Sequence, residues 1–248
     1  MRVVFNEAFY RVYTSDPAAA AGRMETIMEV VAPQVVLVAA EPASDSDIAA
    51  VHSRFHIDRI RECGLYEISA LAAGGAILAA RIGLTETCFG LIRPPGHHAS
   101  ADSSWGFCFF NNMAIALEKL KRERNIQSAY VLDIDLHYGD GTVNIFGDRS
   151  WAKIYNVFAH DRDGYLREVD VQMKTCHADI IGISAGFDNH QQDWGGVLRT
   201  EDYAEIGQMV RTAAQRLGAG CFAVLEGGYN HSVLGHNVMA LIRGLSST

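Results

Sequence analysis

Three short stretches of the chain are apolar at nearly every position: Ala129–Leu132 (AYVL), Ile180–Ser184 (IIGIS) and Cys221–Leu225 (CFAVL). A strand with one wet face alternates apolar and polar residues, so a run without alternation belongs to a strand buried on both faces. Such strands occur where crossover helices cover a parallel sheet. The segments between them agree. Asn112–Glu123, Thr200–Leu217 and His231–Leu245 carry helical patterning, the second opening on a Thr-Glu-Asp cap signal. Further strands are predicted at Arg2–Phe5, Thr87–Ile92 and Trp151–Val157. Further helices are predicted at Ala18–Val31 behind Pro17, at Ile48–Arg61 behind Ser44–Asp47, and at the small-residue stretch Leu71–Ile82. The expected fold is α/β: one domain over residues 1–248, with an open, mainly parallel sheet between two layers of helices. No internal repeat, low-complexity segment or Pro/Ser-rich linker divides it.

Composition narrows the function. With 248 residues, 49% of them hydrophobic, the chain can bury a large core. Its net charge of −8, with no Lys/Arg block, argues against nucleic-acid binding. No apolar run reaches the roughly 18 residues that a membrane span needs, and the N-terminus lacks the long apolar core of a secretory signal. A cytoplasmic location without membrane attachment is expected. The five cysteines form no C-x-x-C pair, and reduced thiols are the plain reading.

The strand ends are more telling. After Thr87–Ile92 comes Arg93-Pro-Pro-Gly-His97-His98, and after Ser128–Leu132 comes Asp133-Ile-Asp135-Leu-His137. After Asp179–Ser184 comes Ala-Gly-Phe-Asp188, and after Cys221–Leu225 comes Glu226-Gly-Gly-Tyr229. Parallel sheets bind ligands at the carboxyl ends of their strands, so these four clusters should converge.

Alternation along an extended segment would put Asp133, Asp135 and His137 on one face. Asp135 and His137 then offer an O and an N ligand to a cation, and Asp188 a second O, leaving open positions for water and substrate. Zn²⁺ fits such a set, and Fe²⁺ is the alternative. His97 and His98 stand after a stiff Pro-Pro-Gly turn, and each needs a partner; Asp133 and Asp140 are the nearby carboxylates. Tyr229, after two glycines, could turn its hydroxyl to an oxyanion. For His52, His56, His160, His177 and His231 the plain reading is a solvated or core-satisfied ring.

Five motifs in order, RPPGHHA (93–99), GFCFFNN (106–112), DIDLHYGDGT (133–142), ISAGFDNH (183–190) and LEGGYN (225–230), resemble the histone deacetylase / acetylpolyamine amidohydrolase family. The resemblance runs from about Arg23 to the C-terminus. It implies the arginase–deacetylase fold, one catalytic Zn²⁺ and hydrolysis of an acylated lysine side chain, polyamine or other small amine. It implies Asp135, His137 and Asp188 as metal ligands, His97 paired with Asp133, His98 paired with Asp140, and Tyr229 polarising the scissile carbonyl. It also implies Gly106 and Phe107 along the substrate tunnel, Arg23 near an inner acetate pocket, and a K⁺ held by Asp133, Asp135 and the backbone at His137. His98 is the expected proton carrier and His97 its electrostatic partner.

The departures concern the substrate. The Val157–Ala178 stretch is short and lacks the family's Phe-Phe-Pro-Gly-type loop, which leaves Tyr165 as the nearest second aromatic wall. The mouth is then either wider or completed by another subunit in a homo-oligomer. Trp194, an expected substrate contact, stands where acetylpolyamine-selective relatives carry an acidic gatekeeper, and Asp193 is the nearest acid. Glu67 is the nearest counterpart of a substrate-gripping aspartate. Two other readings remain: a ureohydrolase-type enzyme with two Mn²⁺, and a catalytically weak module that binds an acylated ligand.

Overall fold

A computed structural model of the chain describes residues 1–246. Its seven strands are β1 (Arg2–Phe5), β2 (Val36–Ala39), β3 (Cys88–Gly90), β4 (Ala129–Asp133), β5 (Ala152–Asn156), β6 (Ile180–Ala185) and β7 (Gly220–Leu225). They form one sheet in the order β2-β1-β3-β7-β6-β4-β5. Every pairing is parallel, so the sheet is wholly rather than mainly parallel. The α-helices are α1 (Arg23–Val31), α2 (Asp45–Ile48), α3 (Arg54–Glu62), α4 (Tyr66–Gly83), α5 (Asn112–Arg122), α6 (Asp140–Phe146), α7 (Arg162–Thr175), α8 (Thr200–Leu217) and α9 (His231–Leu245).

The three apolar runs are β4, β6 and β7, and every residue from Ile180 to Ala185 is buried. Both faces are covered. Helix α4 packs on β1, β3 and β7, while α8 packs on β6 and β7 with α9 against it. The edge strand β2 is largely exposed. The four strands that carry the polar clusters, β3, β7, β6 and β4, are consecutive in the middle of the sheet.

Several predicted elements shift. The Ala18–Val31 helix is broken: Pro17–Ala19 forms a 3-10 turn, Gly22 takes φ +83°, and α1 starts only at Arg23. The Ile48–Arg61 pattern is two helices, because Ser53 caps a new start by accepting from the His56 amide. Helix α4 begins at Tyr66 rather than Leu71. Sequence reading missed β2, α6 and α7; the last starts where Asp161 accepts from the Gly164 amide at 2.8 Å. No helix among the described residues is long and apolar enough to cross a membrane.

Candidate metal and catalytic centre

The Asp133–His137 segment leaves the sheet at Asp133, so strand alternation does not aim its side chains. Successive side-chain-to-backbone bonds do. Asp133 Oδ1 accepts from the Asp135 amide at 3.1 Å, and Asp135 Oδ1 from the His137 amide at 2.9 Å. Each acid thus turns the chain two residues on, as Asx turns do. Asp188, just past β6, accepts from the Leu136 amide at 3.0 Å and so locks the two strand ends together. Gly186 permits this approach, since a Cβ there would lie 2.1 Å from Asp135 Oδ2.

Ligand atoms of Asp135, His137 and Asp188 all lie within 4.8 Å of one another. His137 Nδ1 is 3.2 Å from Asp135 Oδ1 and 3.0 Å from Asp188 Oδ2. The second approach lacks hydrogen-bond geometry, and Asp188 Oδ2 stays buried with no donor. Three lone-pair donors converging on one point, one of them buried and orphaned, are a cradle for a cation. The close carboxylates of Asp135 and Asp188 push the His137 pKa up to about 10. Burial, reinforced by the neighbouring Asp135 charge, pushes Asp188 to about 6. The field that makes His137 hold a proton is the field a divalent ion would neutralise.

The Arg93–Ala99 loop is held from three sides. Asn112 Nδ2 donates to the Pro94 carbonyl at 2.9 Å and Asn111 Nδ2 to the Ala99 carbonyl at 3.0 Å. Glu226 Oε2 accepts from the Gly96 and His97 amides at 2.7 and 3.2 Å. Thus fixed, His97 Nδ1 meets Asp133 Oδ2 at 3.0 Å and His98 Nδ1 meets Asp140 Oδ1 at 2.7 Å, and the two rings lie 4.0 Å apart. The dyads differ electrically. Burial favours a neutral His97, but the Asp135 and Asp133 carboxylates outweigh it and hold its pKa well above the usual value. Burial and then the His97 charge depress His98 to about 4.

A cavity of about 110 Å³ opens beside these groups, lined by His97, His98, Gly106, Phe107, His137 and Tyr229 together with Trp105 and Trp194. Phe107 meets Tyr229 edge-on at 6.0 Å. Trp194 stacks on Tyr229 at 4.1 Å and meets the His137 ring edge-on at 6.0 Å. Gly106 takes φ +59° and lies under the His98 ring, where a Cβ would come within 2.5 Å of Cδ2. Burial, with Asp135 and Asp188 nearby, raises the pKa of the Tyr229 hydroxyl and keeps it a donor.

Three expectations fail. Tyr165 is not a cavity wall: it lies on α7, fully buried, donating its hydroxyl to the Ile134 carbonyl at 2.9 Å. Asp193 is not a gatekeeper, because its carboxylate is occupied by the amides of Trp194, Tyr229 and Asn230. Glu67 is exposed in the first turn of α4 and lines none of this cavity. Arg23 does not line this cavity but lies buried behind its Tyr229 wall, 5.7 Å from the ring centroid. Its guanidinium donates to the Gly228 and Glu226 carbonyls at 2.8 and 2.7 Å, bracing the Tyr229 turn from behind. The residue that sequence reading missed is Trp105, next to the GFCFFNN motif, whose ring covers His98 at 3.8 Å. His52 and His56 are core-satisfied rings, as read from the sequence.

Comparison with known proteins adds an independent line. The histone deacetylase domain model matches residues 62–170 and 165–245. A probable deacetylase of Methanothermobacter thermautotrophicus is 30% identical, over 82% of this chain and 77% of the relative. A histone deacetylase-like amidohydrolase of Pseudomonas aeruginosa is 28% identical, over 93% and 78%. Acetylpolyamine amidohydrolase 2 of the same organism is 29% identical, over 63% and 55%. In three dimensions the chain is similar to the HD domain of HDA15, with a TM-score of 0.83 at 21% identity, covering 98% of this chain and 88% of that one.

Proposed function

Because the chain belongs to the histone deacetylase family and is a hydrolase of non-peptide carbon–nitrogen amide bonds, we propose that it removes an acyl group, acetyl first, from the nitrogen of a lysine side chain, a polyamine or another small amine. Residues 1–248 act as one cytoplasmic catalytic domain in this reading. The observation that carries it is the convergence of Asp135, His137 and Asp188 at the edge of a small cavity that His137 lines together with His98 and Tyr229. The buried, donorless Asp188 Oδ2 is the atom that most needs a cation. The O/N/O donor set fits Zn²⁺, with Fe²⁺ the other ion it would accept, and K⁺ enters on the family resemblance alone.

A divalent ion bound there supplies Lewis acidity, polarising the carbonyl and lowering the pKa of a water toward about 7. The chain's own groups move the protons. His98, neutral and pinned by Asp140, accepts a proton from the attacking water at Nε2 and then delivers it to the departing amine nitrogen. His97, whose pKa the Asp135 and Asp133 carboxylates hold well above the usual value, stabilises the developing negative charge without giving up its proton. The Tyr229 hydroxyl donates a hydrogen bond to the carbonyl oxygen as it becomes an oxyanion. Phe107, Trp105 and Trp194 exclude water and flank the chain that joins amide to amine.

The test is a screen of acetylated polyamines, acyl-lysine peptides and other acyl-amines against protein of defined metal loading. Metal-dependent release of acetate and free amine in equal amounts is expected. Binding of acyl-amines with no acetate released across the panel would make the chain a binding module instead.

A further inference from the structure

Asp193 lies in the loop that runs from Asp188 back to α8, and its carboxylate bridges that loop to the turn carrying Tyr229. Oδ2 accepts from the Tyr229 and Asn230 amides, each at 2.8 Å, and Oδ1 from the Trp194 amide at 2.9 Å. Asn230 Nδ2 reaches back to the Gln192 carbonyl at 2.5 Å. The residue beside Asp193 is Trp194, whose ring stacks on Tyr229 at 4.1 Å with 27° between the planes. Backbone and ring of Tyr229 are therefore gripped from one loop.

The turn needs that grip. Two glycines precede Tyr229, and Gly228 takes φ +116°, so the backbone has little stiffness of its own. Arg23 holds the Glu226 and Gly228 carbonyls, and Asp135 Oδ2 accepts from the Gly227 amide at 2.9 Å. Those contacts end at Gly228. The next two amides, which lead into the 15-residue helix α9, meet the Asp193 carboxylate. A carboxylate at a helix N-terminus makes charge-assisted bonds and meets the positive end of the helix dipole. A catalytic hydroxyl must be held to within about 0.5 Å of its productive place.

We propose that Asp193 is a positioning residue for Tyr229, setting the place of its hydroxyl through the Tyr229 and Asn230 amides. This rests on the role of Tyr229 in the proposed reaction. The test is a cycle of kcat and KM over wild type, Asp193→Ala, Asp193→Asn, Tyr229→Phe and the Asp193→Ala/Tyr229→Phe double variant, with metal content and thermal midpoint for each. Asp193→Ala is expected to lower kcat about tenfold or more with little change in KM, because small misplacements of a reacting group are costly. Asp193→Asn keeps an oxygen for both amides and recovers most of that loss. In the Tyr229→Phe background, where the hydroxyl is gone, Asp193→Ala changes kcat by less than about twofold. An equal loss in both backgrounds, or none in wild type, overturns the proposal. If alanine costs the protein its metal or its fold, Asp193→Ser, too short to span both amides, takes its place in the same cycle. Wild-type turnover in Tyr229→Phe alone would instead remove the role of Tyr229 itself, so the two failures are told apart.

Discussion

Trp105 lies over His98, ring centroids 3.8 Å apart with the planes tilted by 32°, and donates its indole proton to Asp140 Oδ2 at 2.9 Å while His98 holds Oδ1. One carboxylate is thus shared between an imidazole and an indole, and the indole also shields the imidazole from solvent. Removing the indole has two effects of the same sign. Asp140 is left with more negative charge for a protonated His98, and the ring gains water, so the His98 pKa rises. Trp105→Ala is expected to move the acidic limb of the kcat/KM profile to higher pH and to lower the plateau about fivefold, the worth of roughly one hydrogen bond. Trp105→Phe keeps the stack and gives a smaller shift. An acidic limb that stays in place in both variants would disconnect Trp105 from the dyad.

Tyr229→Phe keeps the metal ligands intact and removes the one donor aimed at the carbonyl oxygen in the proposed mechanism. Turnover is expected to fall about 10²- to 10³-fold, as for loss of an oxyanion donor elsewhere. Metal content should be unchanged by elemental analysis. Near-normal activity would sink the assignment.

Metal affinity should climb with pH. His137 has its pKa raised to about 10, so in the metal-free protein it carries a proton at neutral pH that an incoming ion must displace. Displacing one proton makes binding about tenfold tighter per pH unit across that range. Below pH 6 Asp188 adds to the slope, its own pKa being about 6. Titration calorimetry in two buffers of different ionisation heat reads the released proton directly. Asp188→Asn should abolish tight binding, and pH-independent affinity in the unmutated chain would contradict this ligand set.

His52 provides a stability test remote from the chemistry. It is buried, donates from Nδ1 to the Ser100 carbonyl at 3.0 Å and accepts at Nε2 from the Asn111 amide at 2.9 Å, so it is held neutral. Burial lowers its pKa to about 4. The unfolded chain takes up a proton near pH 6.5 that the folded chain refuses, so this contribution is whole above pH 6.5 and lost as pH falls toward 4. The loss is on the order of 3 kcal/mol over that window. His52→Gln preserves one donor and one acceptor without titrating. Urea midpoints measured between pH 7 and pH 4 should fall less steeply in that variant than in wild type; parallel curves would argue against it.

Much of the fold is legible in the sequence alone. Uniformly apolar runs mark β4, β6 and β7 because burial on both faces leaves no room for alternation. Thr200–Leu217 and His231–Leu245 are readable to the residue, since long amphipathic helices have clear periodicity and caps. Short elements are not. The 3-10 turn at Pro17–Ala19 and the break before Ser53 turn on single side-chain caps, Asp16 and Ser53, which hydrophobic periodicity does not reveal, and the short strand β2 depends on its pairing with β1. Tyr165 is misplaced by sequence reading because an aromatic residue reads alike whether it faces a cavity or the core.

The sequence by itself determined the strand ends and the chemistry they carry: donors for a cation at Asp135, His137 and Asp188, imidazoles at His97 and His98, and a tyrosine after two glycines. Only the tertiary structure decided how they meet. The order β3-β7-β6-β4 seats the last strand of the chain between β3 and β6, and that insertion brings Glu226 under the His97 loop and Gly227 against Asp135. Trp105 over His98 and Asp193 beneath Tyr229 belong to the same category. Strand identity is written in local hydrophobic pattern, whereas neighbour order and loop-to-loop contacts arise from the packing of segments far apart in the chain, which no local pattern encodes.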